Sequence, residues 1–226
     1  MVNEKVGFYP ENIKGIEQIE ITVPFLGNFA HVSVTKEALI SNLLSEAEDK
    51  HQIQPTEARE YARGIHYFLS FSPEFYDQIN QTPSESMSTK ILTSLKLALK
   101  RPPEYPGNPA LDTAFSFGWT LAIGQDTSCV INIEKIANVI SENKTESFQL
   151  PYNAPKEARQ AVFVQAIDSV WRHEREHLIQ LLEMRMGISN IDIQKPIIKQ
   201  LEEPAYQIQQ PSEFTHNSPF QITFEE

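Results

Sequence analysis

Residues 157–186 read EARQAVFVQAIDSVWRHEREHLIQLLEMRM, without a glycine or a proline. Their apolar members recur about every 3.6 residues: Phe163, Val164, Ile167, Val170, Trp171, Leu178, Leu181 and Leu182. The spacing predicts one long amphipathic helix that ends at Gly187, since glycine commonly terminates helices. At about 100° per residue, Glu174 falls near the middle of the apolar stripe. A carboxylate at that position is costly unless it is paired or lies near a metal ion.

The same stretch contains the motif H-E-x-x-H, formed by His173, Glu174 and His177. Histidines at this spacing lie on one side of a helix, so both imidazoles can bind a single Zn²⁺. Glu174 can then accept a proton from a metal-bound water. The alternative interpretation is a charged helix surface that binds no metal. The helical wheel turns the other charged residues of this region toward water: Arg172, Arg175, Glu176 and Glu183.

The amino-acid composition limits both the class of protein and the kinds of partner that it can bind. The 226-residue chain is 40% hydrophobic and 22% charged, which is typical of a globular protein. Its formal net charge of −11 argues against a nucleic-acid partner and against binding to an anionic membrane. The single cysteine, Cys129, excludes an intrachain disulfide and a cysteine-based zinc site. Because no signal peptide or apolar span is visible, we expect a cytoplasmic protein.

The first third of the chain predicts a β-hairpin followed by two helices. Residues 19–23 and 29–34 alternate in polarity around a turn, and Thr35 is a suitable N-cap for a helix to about Asp49. Thr56 is predicted to cap a second helix over 57–71. This helix would carry His66 as a packed or surface histidine.

The remaining segments predict further helices and strands. A helix is expected over 88–100, strands over 115–123 and 129–133, and a short helix over 134–140. Another helix is expected to begin at Pro196. Together these elements predict an α+β fold in which several helices pack on a small sheet, with residues 1–210 as a single domain. Residues 211–226 are polar and aperiodic, which favours a loosely held tail.

The motif resembles that of the zincins, a superfamily of zinc metallopeptidases built on a helix that carries H-E-x-x-H. The resemblance covers about thirty residues, from this helix toward Tyr206. It implies that His173 and His177 bind Zn²⁺ and that Glu174 is the general base. It also implies a third zinc ligand further along the chain, whose position differs between branches of the superfamily.

The chain resembles the gluzincin branch more than the metzincin branch. Metzincins have a glycine where this chain has Gln180, and a ligand where it has Glu183. In gluzincins the third ligand is a glutamate on a following helix, which implies Glu202. The segment from Glu202 to Tyr206 is similar to the Glu-x-x-Ala surroundings of that ligand in small bacterial zincins. The alternatives for the third ligand are Glu203, Asp192 and His216, or solvated charges at Glu202 and Glu203.

Two features depart from the zincin pattern. Zincin motifs usually have uncharged residues where this chain has Arg175 and Glu176, so the back of the helix is either open to water or paired with another element. Pro204 is also unusual so close to a ligand.

The resemblance implies zinc-dependent hydrolysis of peptide bonds in a peptide or protein substrate. Zinc would activate a water, Glu174 would take its proton, and Tyr206 or His216 could stabilise the oxyanion. The alternatives are a non-catalytic interaction module, an inactive zincin relative or a metal-binding regulator. The sequence does not predict the oligomeric state.

Overall fold

The computed structural model describes residues 18–62, 65–68, 117–123, 126–142, 153–189, 200–205 and 218–226. The elements within these ranges are β1 (Gln18–Phe25), β2 (Asn28–Thr35), α1 (Lys36–His51), α2 (Pro55–Ala62), β3 (Ile65–Phe68), β4 (Gly118–Ile123), β5 (Asp126–Ile131), α3 (Ile133–Ser141), α4 (Lys156–Met186) and β6 (Gln221–Phe224). Residues 200–205 are also helical. The predicted α+β class is confirmed. The helix predicted over 88–100 lies outside the described residues.

The predicted hairpin is confirmed and starts the first sheet. β1 and β2 pair antiparallel, with Ile21 opposite Val32. The two turn residues, Leu26 and Gly27, both have positive φ values, 52° and 83°. This geometry matches the twist of the flanking strands. Alternate residues of both strands are buried, so one face of the hairpin contributes to the core.

The C-terminus completes this sheet, and the prediction of a loosely held tail is wrong for residues 218–226. β6 pairs antiparallel with β2, and Ile222 lies opposite Val32. Phe220 is buried against Trp171, with an edge-on contact between rings 6.2 Å apart. Aromatic packing and strand pairing together hold the segment in place. Residues 211–217 lie outside the described residues.

The second sheet has the order β3-β5-β4. β5 pairs antiparallel with β4 and parallel with β3, so the sheet is mixed. The predicted strands over 115–123 and 129–133 are confirmed in part: β4 covers Gly118–Ile123, whereas β5 ends at Ile131 and Ile133 already begins α3. The predicted helix over 57–71 is wrong for Ile65–Phe68, because these residues, including His66, form β3; residues 63–64 and 69–71 lie outside the described residues. The segment Ile65–Phe68 is short and rich in aromatic residues, and its pairing with β5 overrides the helical pattern.

α4 is the long helix that the sequence predicts, and it packs against α1, α3 and the second sheet. It ends at Gly187, whose φ of 72° is the left-handed conformation that glycine adopts readily. The predicted N-cap of α1 is also confirmed, because the Ala38 N–H donates to Thr35 Oγ1 at 3.1 Å. In the part of the chain that the structure describes, no helix is both long and apolar enough to cross a membrane.

Candidate metal centre

α4 brings the two histidines of the motif together on a largely buried face. The Nε2 atoms of His173 and His177 lie 3.1 Å apart, and their rings meet edge to face at 85°. His173 is buried and His177 is partly buried. Both imidazoles therefore direct one nitrogen toward the same point, as expected for residues one helical turn apart.

The helical segment 200–205 brings a carboxylate to the same point. Glu202 Oε2 lies 3.5 Å from His173 Nε2, and Glu202 Oε1 lies 3.7 Å from His177 Nε2. Each of the three residues offers a ligand atom, and these atoms all lie within 4.8 Å of one another. The group can therefore hold a metal ion. Glu202 follows His177 by 25 residues in the sequence, and the fold brings the two side chains together.

The charges in this group are strongly coupled. Polar contacts with His173 and then His177 lower the pKa of Glu202 to about 2, against the opposing effect of partial burial. Burial acts to lower the pKa of His177, but contacts with Glu202 and the charge of Glu174 outweigh it and raise that pKa. Without a metal, the site therefore favours a proton on His177. A metal ion must displace that proton to bind the same nitrogen.

Glu174 lies on the buried side of α4 beneath β4. It is 3% exposed, and its Oε2 accepts a hydrogen bond of 2.8 Å from the Thr120 hydroxyl. Burial raises the pKa of Glu174 to about 7, although the charges of His177 and His173 and the Thr120 hydrogen bond oppose this rise. A carboxyl group whose pKa lies near neutrality can both accept and release a proton.

Gly118 allows β4 to approach α4 this closely. A Cβ atom at position 118 would lie 2.5 Å from Val170 Cγ1 and 3.0 Å from Glu174 Oε1. Neither distance is compatible with normal packing. The glycine is therefore required by the contact between strand and helix. The sequence gives no signal for this role, since it depends on which helix packs on β4.

The structure also reveals a role for Gln180 that sequence reasoning missed. Gln180 is buried, and its Oε1 lies 3.1 Å from His177 Nδ1. Its Nε2 donates to the Leu201 carbonyl oxygen at 2.9 Å. Position i+3 from His177 could have indicated the first contact. The second contact depends on the docking of residues 200–205 and has no sequence signal.

The prediction that Arg175 and Glu176 face water is wrong. They are 7% and 3% exposed, because α1 covers the back of α4. Arg175 Nη2 lies 3.1 Å from Glu46 Oε1, and Arg175 Nη1 donates to Asn42 Oδ1 at 2.6 Å. Glu176 Oε2 lies 3.6 Å from His51 Nε2. The charges that depart from the zincin pattern are thus paired with another helix. We call this set, Asn42, Glu46, His51, Arg175 and Glu176, the ionic layer.

Among the described residues, the other candidates, Glu203 and Glu183, are not part of the metal group. Glu203 follows Glu202 on the same helical segment but is exposed. Glu183, which was expected to face water, is only partly exposed and binds His51 Nδ1 at 2.9 Å. Asp192, Tyr206 and His216 lie outside the described residues, so their predicted alternatives as third ligand or oxyanion donor stay predictions.

Comparison with known proteins gives no family assignment. No family model, curated protein or solved structure matches this chain.

Proposed function

We propose that this protein is a zinc-dependent hydrolase that cleaves peptide bonds in a peptide or protein substrate, and that it acts in the cytoplasm. The observation that carries the proposal is the convergence of His173, His177 and Glu202 beside a buried carboxylate, Glu174. Two imidazoles and one carboxylate form a ligand set found in catalytic zinc sites, where a fourth position stays open for water.

The distances within the group suit zinc. Tetrahedral ligands at bond lengths of about 2.0–2.1 Å lie about 3.3 Å from one another. The separations here are 3.1 Å between the two histidine nitrogens and 3.5 and 3.7 Å from these nitrogens to Glu202. Small movements of the side chains would therefore be sufficient for binding. Oxygen and nitrogen donors without a thiolate also suit zinc better than copper(I).

Bound zinc would lower the pKa of a coordinated water to about 7 and polarise the carbonyl group of a peptide bond. Glu174 would accept the proton of the attacking water and pass it to the leaving amine. Thr120 supports this role because it occupies one carboxylate oxygen, Oε2, and so limits the rotation of the Glu174 side chain. Glu202 would contribute a negative charge to the metal, whereas Glu174 would remain available to the water.

The test compares wild type with Glu174→Gln and His177→Ala. We expect about one zinc per wild-type chain and per Glu174→Gln chain, and much less in His177→Ala, by elemental analysis. Cleavage of a broad peptide library by Glu174→Gln should fall about 10²-fold or more, because the variant cannot take a proton from water. Wild type without zinc would disprove the metal site. Zinc-loaded wild type that cleaves no peptide would favour the non-catalytic alternative.

A further inference from the structure

We propose that Gln180 is a positioning residue that sets both the orientation of His177 and the placement of Glu202. The inference rests on the proposed metal site and adds to it a residue that would not touch the metal. Gln180 is 6% exposed, so water does not compete strongly for its amide. Its two hydrogen-bond contacts use different atoms of that amide: Oε1 contacts His177 Nδ1, and Nε2 donates to the Leu201 carbonyl.

The Leu201 carbonyl fixes the direction of the Gln180 amide. A carbonyl oxygen only accepts hydrogen bonds, so the NH₂ group of Gln180 must face Leu201. The amide oxygen must then face His177 Nδ1, which lies 3.1 Å away. Because that oxygen only accepts, the proton of His177 must be on Nδ1. Nε2 is consequently the nitrogen that remains for the metal ion, beside His173 and Glu202.

The same amide connects two segments that are distant in sequence. Leu201 immediately precedes Glu202, so a hydrogen bond to its carbonyl restrains the backbone that carries the third ligand. The other end of Gln180 lies one helical turn after His177 on α4. The buried Gln180 side chain therefore contacts both His177 and the backbone next to Glu202. Loss of such an outer partner typically weakens metal binding 10- to 100-fold.

The experiment measures zinc affinity by competition with a chelator. Gln180→Met keeps the length of the side chain and removes both polar groups. Gln165→Met is the matched control, because Gln165 is exposed on the same helix. We expect Gln180→Met to bind zinc 10- to 100-fold more weakly than wild type, at a temperature where its metal-free form is folded. Gln165→Met should bind as wild type does. Unchanged affinity in Gln180→Met would overturn the proposal.

A double-mutant cycle separates positioning from a general effect on packing. If Gln180 acts partly by placing Glu202, the loss caused by Gln180→Met should be smaller in a Glu202→Ala background than in wild type. Fully additive losses would overturn the link to Glu202. A purely structural residue would lower the melting temperature of the metal-free protein without this coupling.

Gln180→Glu tests the contact with His177 separately, and it does so even if Gln180→Met fails to fold. A carboxylate still accepts from His177 Nδ1 but cannot donate to the Leu201 carbonyl. With Co²⁺ in place of zinc, its visible absorption should be closer to wild type than that of any variant without an acceptor, such as Gln180→Leu. Equal spectra for the Glu and Leu variants would overturn the orienting role. Wild type that binds no metal would instead remove the proposed function itself.

Discussion

Glu174 has its position because position 118 has no side chain. A methyl group there would overlap Val170 and press on the Glu174 carboxylate. We expect Gly118→Ala to lower the free energy of unfolding by about 1–3 kcal/mol, the usual cost of overpacking. Because Glu174 must move to relieve the contact, peptide cleavage should fall while zinc binding persists. Denaturant unfolding, zinc content and a cleavage assay on the same preparation measure the three effects.

Gly187→Ala is the control for Gly118→Ala. Nothing lies within 4 Å of a Cβ atom at position 187, but its φ of 72° is strained for alanine. Backbone strain alone should lower the free energy of unfolding of this variant by roughly 1–2 kcal/mol. Its zinc binding and peptide cleavage should be unchanged. If both glycine variants lose cleavage equally, the local contact between Gly118 and Glu174 is not the cause.

At this scale the sequence predicted which residues could meet, but not what surrounds them. The i, i+4 spacing of His173 and His177 fixes their common face on any helix. The same wheel put Glu174 on the apolar side, and it is buried there. The contact of Thr120 with Glu174 and that of Gln180 with Leu201 could not be assigned in this way. Both contacts join α4 to another segment, and no periodicity within α4 encodes them.

The ionic layer between α1 and α4 explains why the sequence wrongly predicted that Arg175 and Glu176 face water. Helical periodicity separates an apolar face from a polar one, and a polar face normally points to water. Here α1 covers part of that face and supplies Glu46 and His51 as partners. Charges alternate closely with apolar residues on both helices. The pairing is therefore visible only when the helices are docked.

Arg175→Ala should be strongly destabilising, because it would leave the carboxylate of Glu46 in a poorly hydrated position. Removal of one partner from a buried pair typically costs about 3–5 kcal/mol. We expect the lower end of that range, since Lys50 also pairs with Glu46. Denaturant unfolding of the metal-free protein gives the value.

Arg59→Ala is the matched control for Arg175→Ala. Arg59 and Glu37 are also 3.1 Å apart, but their side chains are 45% and 61% exposed. Loss of the Arg59 side chain should therefore lower the free energy of unfolding by less than about 1 kcal/mol. Similar losses in both arginine variants would show that the ionic layer is effectively solvated.

His51 should make the stability of the α1–α4 contact depend on pH. The polar contact with Glu176 raises the pKa of His51, burial opposes this, and the charges of Glu176 and Glu183 add to the rise. A pKa that is higher in the folded state favours folding when the imidazole is protonated. This contribution is fully present below the unfolded pKa of about 6.5 and is lost as the pH rises through the folded value. His51→Gln should therefore be more destabilising at pH 6 than at pH 9.

Unfolding of wild type and His51→Gln, at both pH values and in the presence of a chelator, measures this difference. His173 and His177 are present in both proteins, so their contribution cancels in the comparison. An equal loss of stability at the two pH values would mean that His51 contributes through packing alone.

At the scale of the whole molecule, the chain closes on itself through its last residues. β6 adds to the hairpin formed near the start of the described chain, and Phe224 contacts Phe25 and Phe163. Phe220 meanwhile packs on Trp171, two residues before the first motif histidine. The sequence could not predict this closure, because a strand of four residues lacks enough alternation to be distinguished from a tail.

The proposed metal site likewise joins segments that are distant in sequence, so metal binding should stabilise the whole fold. Zinc that binds only the folded arrangement of α4 and residues 200–205 contributes about 2.7 kcal/mol at a free concentration 100 times its Kd. For a chain of this size each kcal/mol raises the melting temperature by about 2–4 °C. We therefore expect zinc to raise the melting temperature of wild type by roughly 5–10 °C.

Variants of the two adjacent glutamates show whether this stabilisation comes from the proposed site. Glu202→Ala should reduce the zinc-induced shift, because Glu202, unlike Glu203, lies beside His173 and His177. Glu203→Ala, at an exposed position on the same segment, should keep it. A variant in which both His173 and His177 are alanine should show no shift. If zinc raises the melting temperature of all four proteins equally, it binds elsewhere on the chain, and residues 200–205 are not held to α4 by a metal.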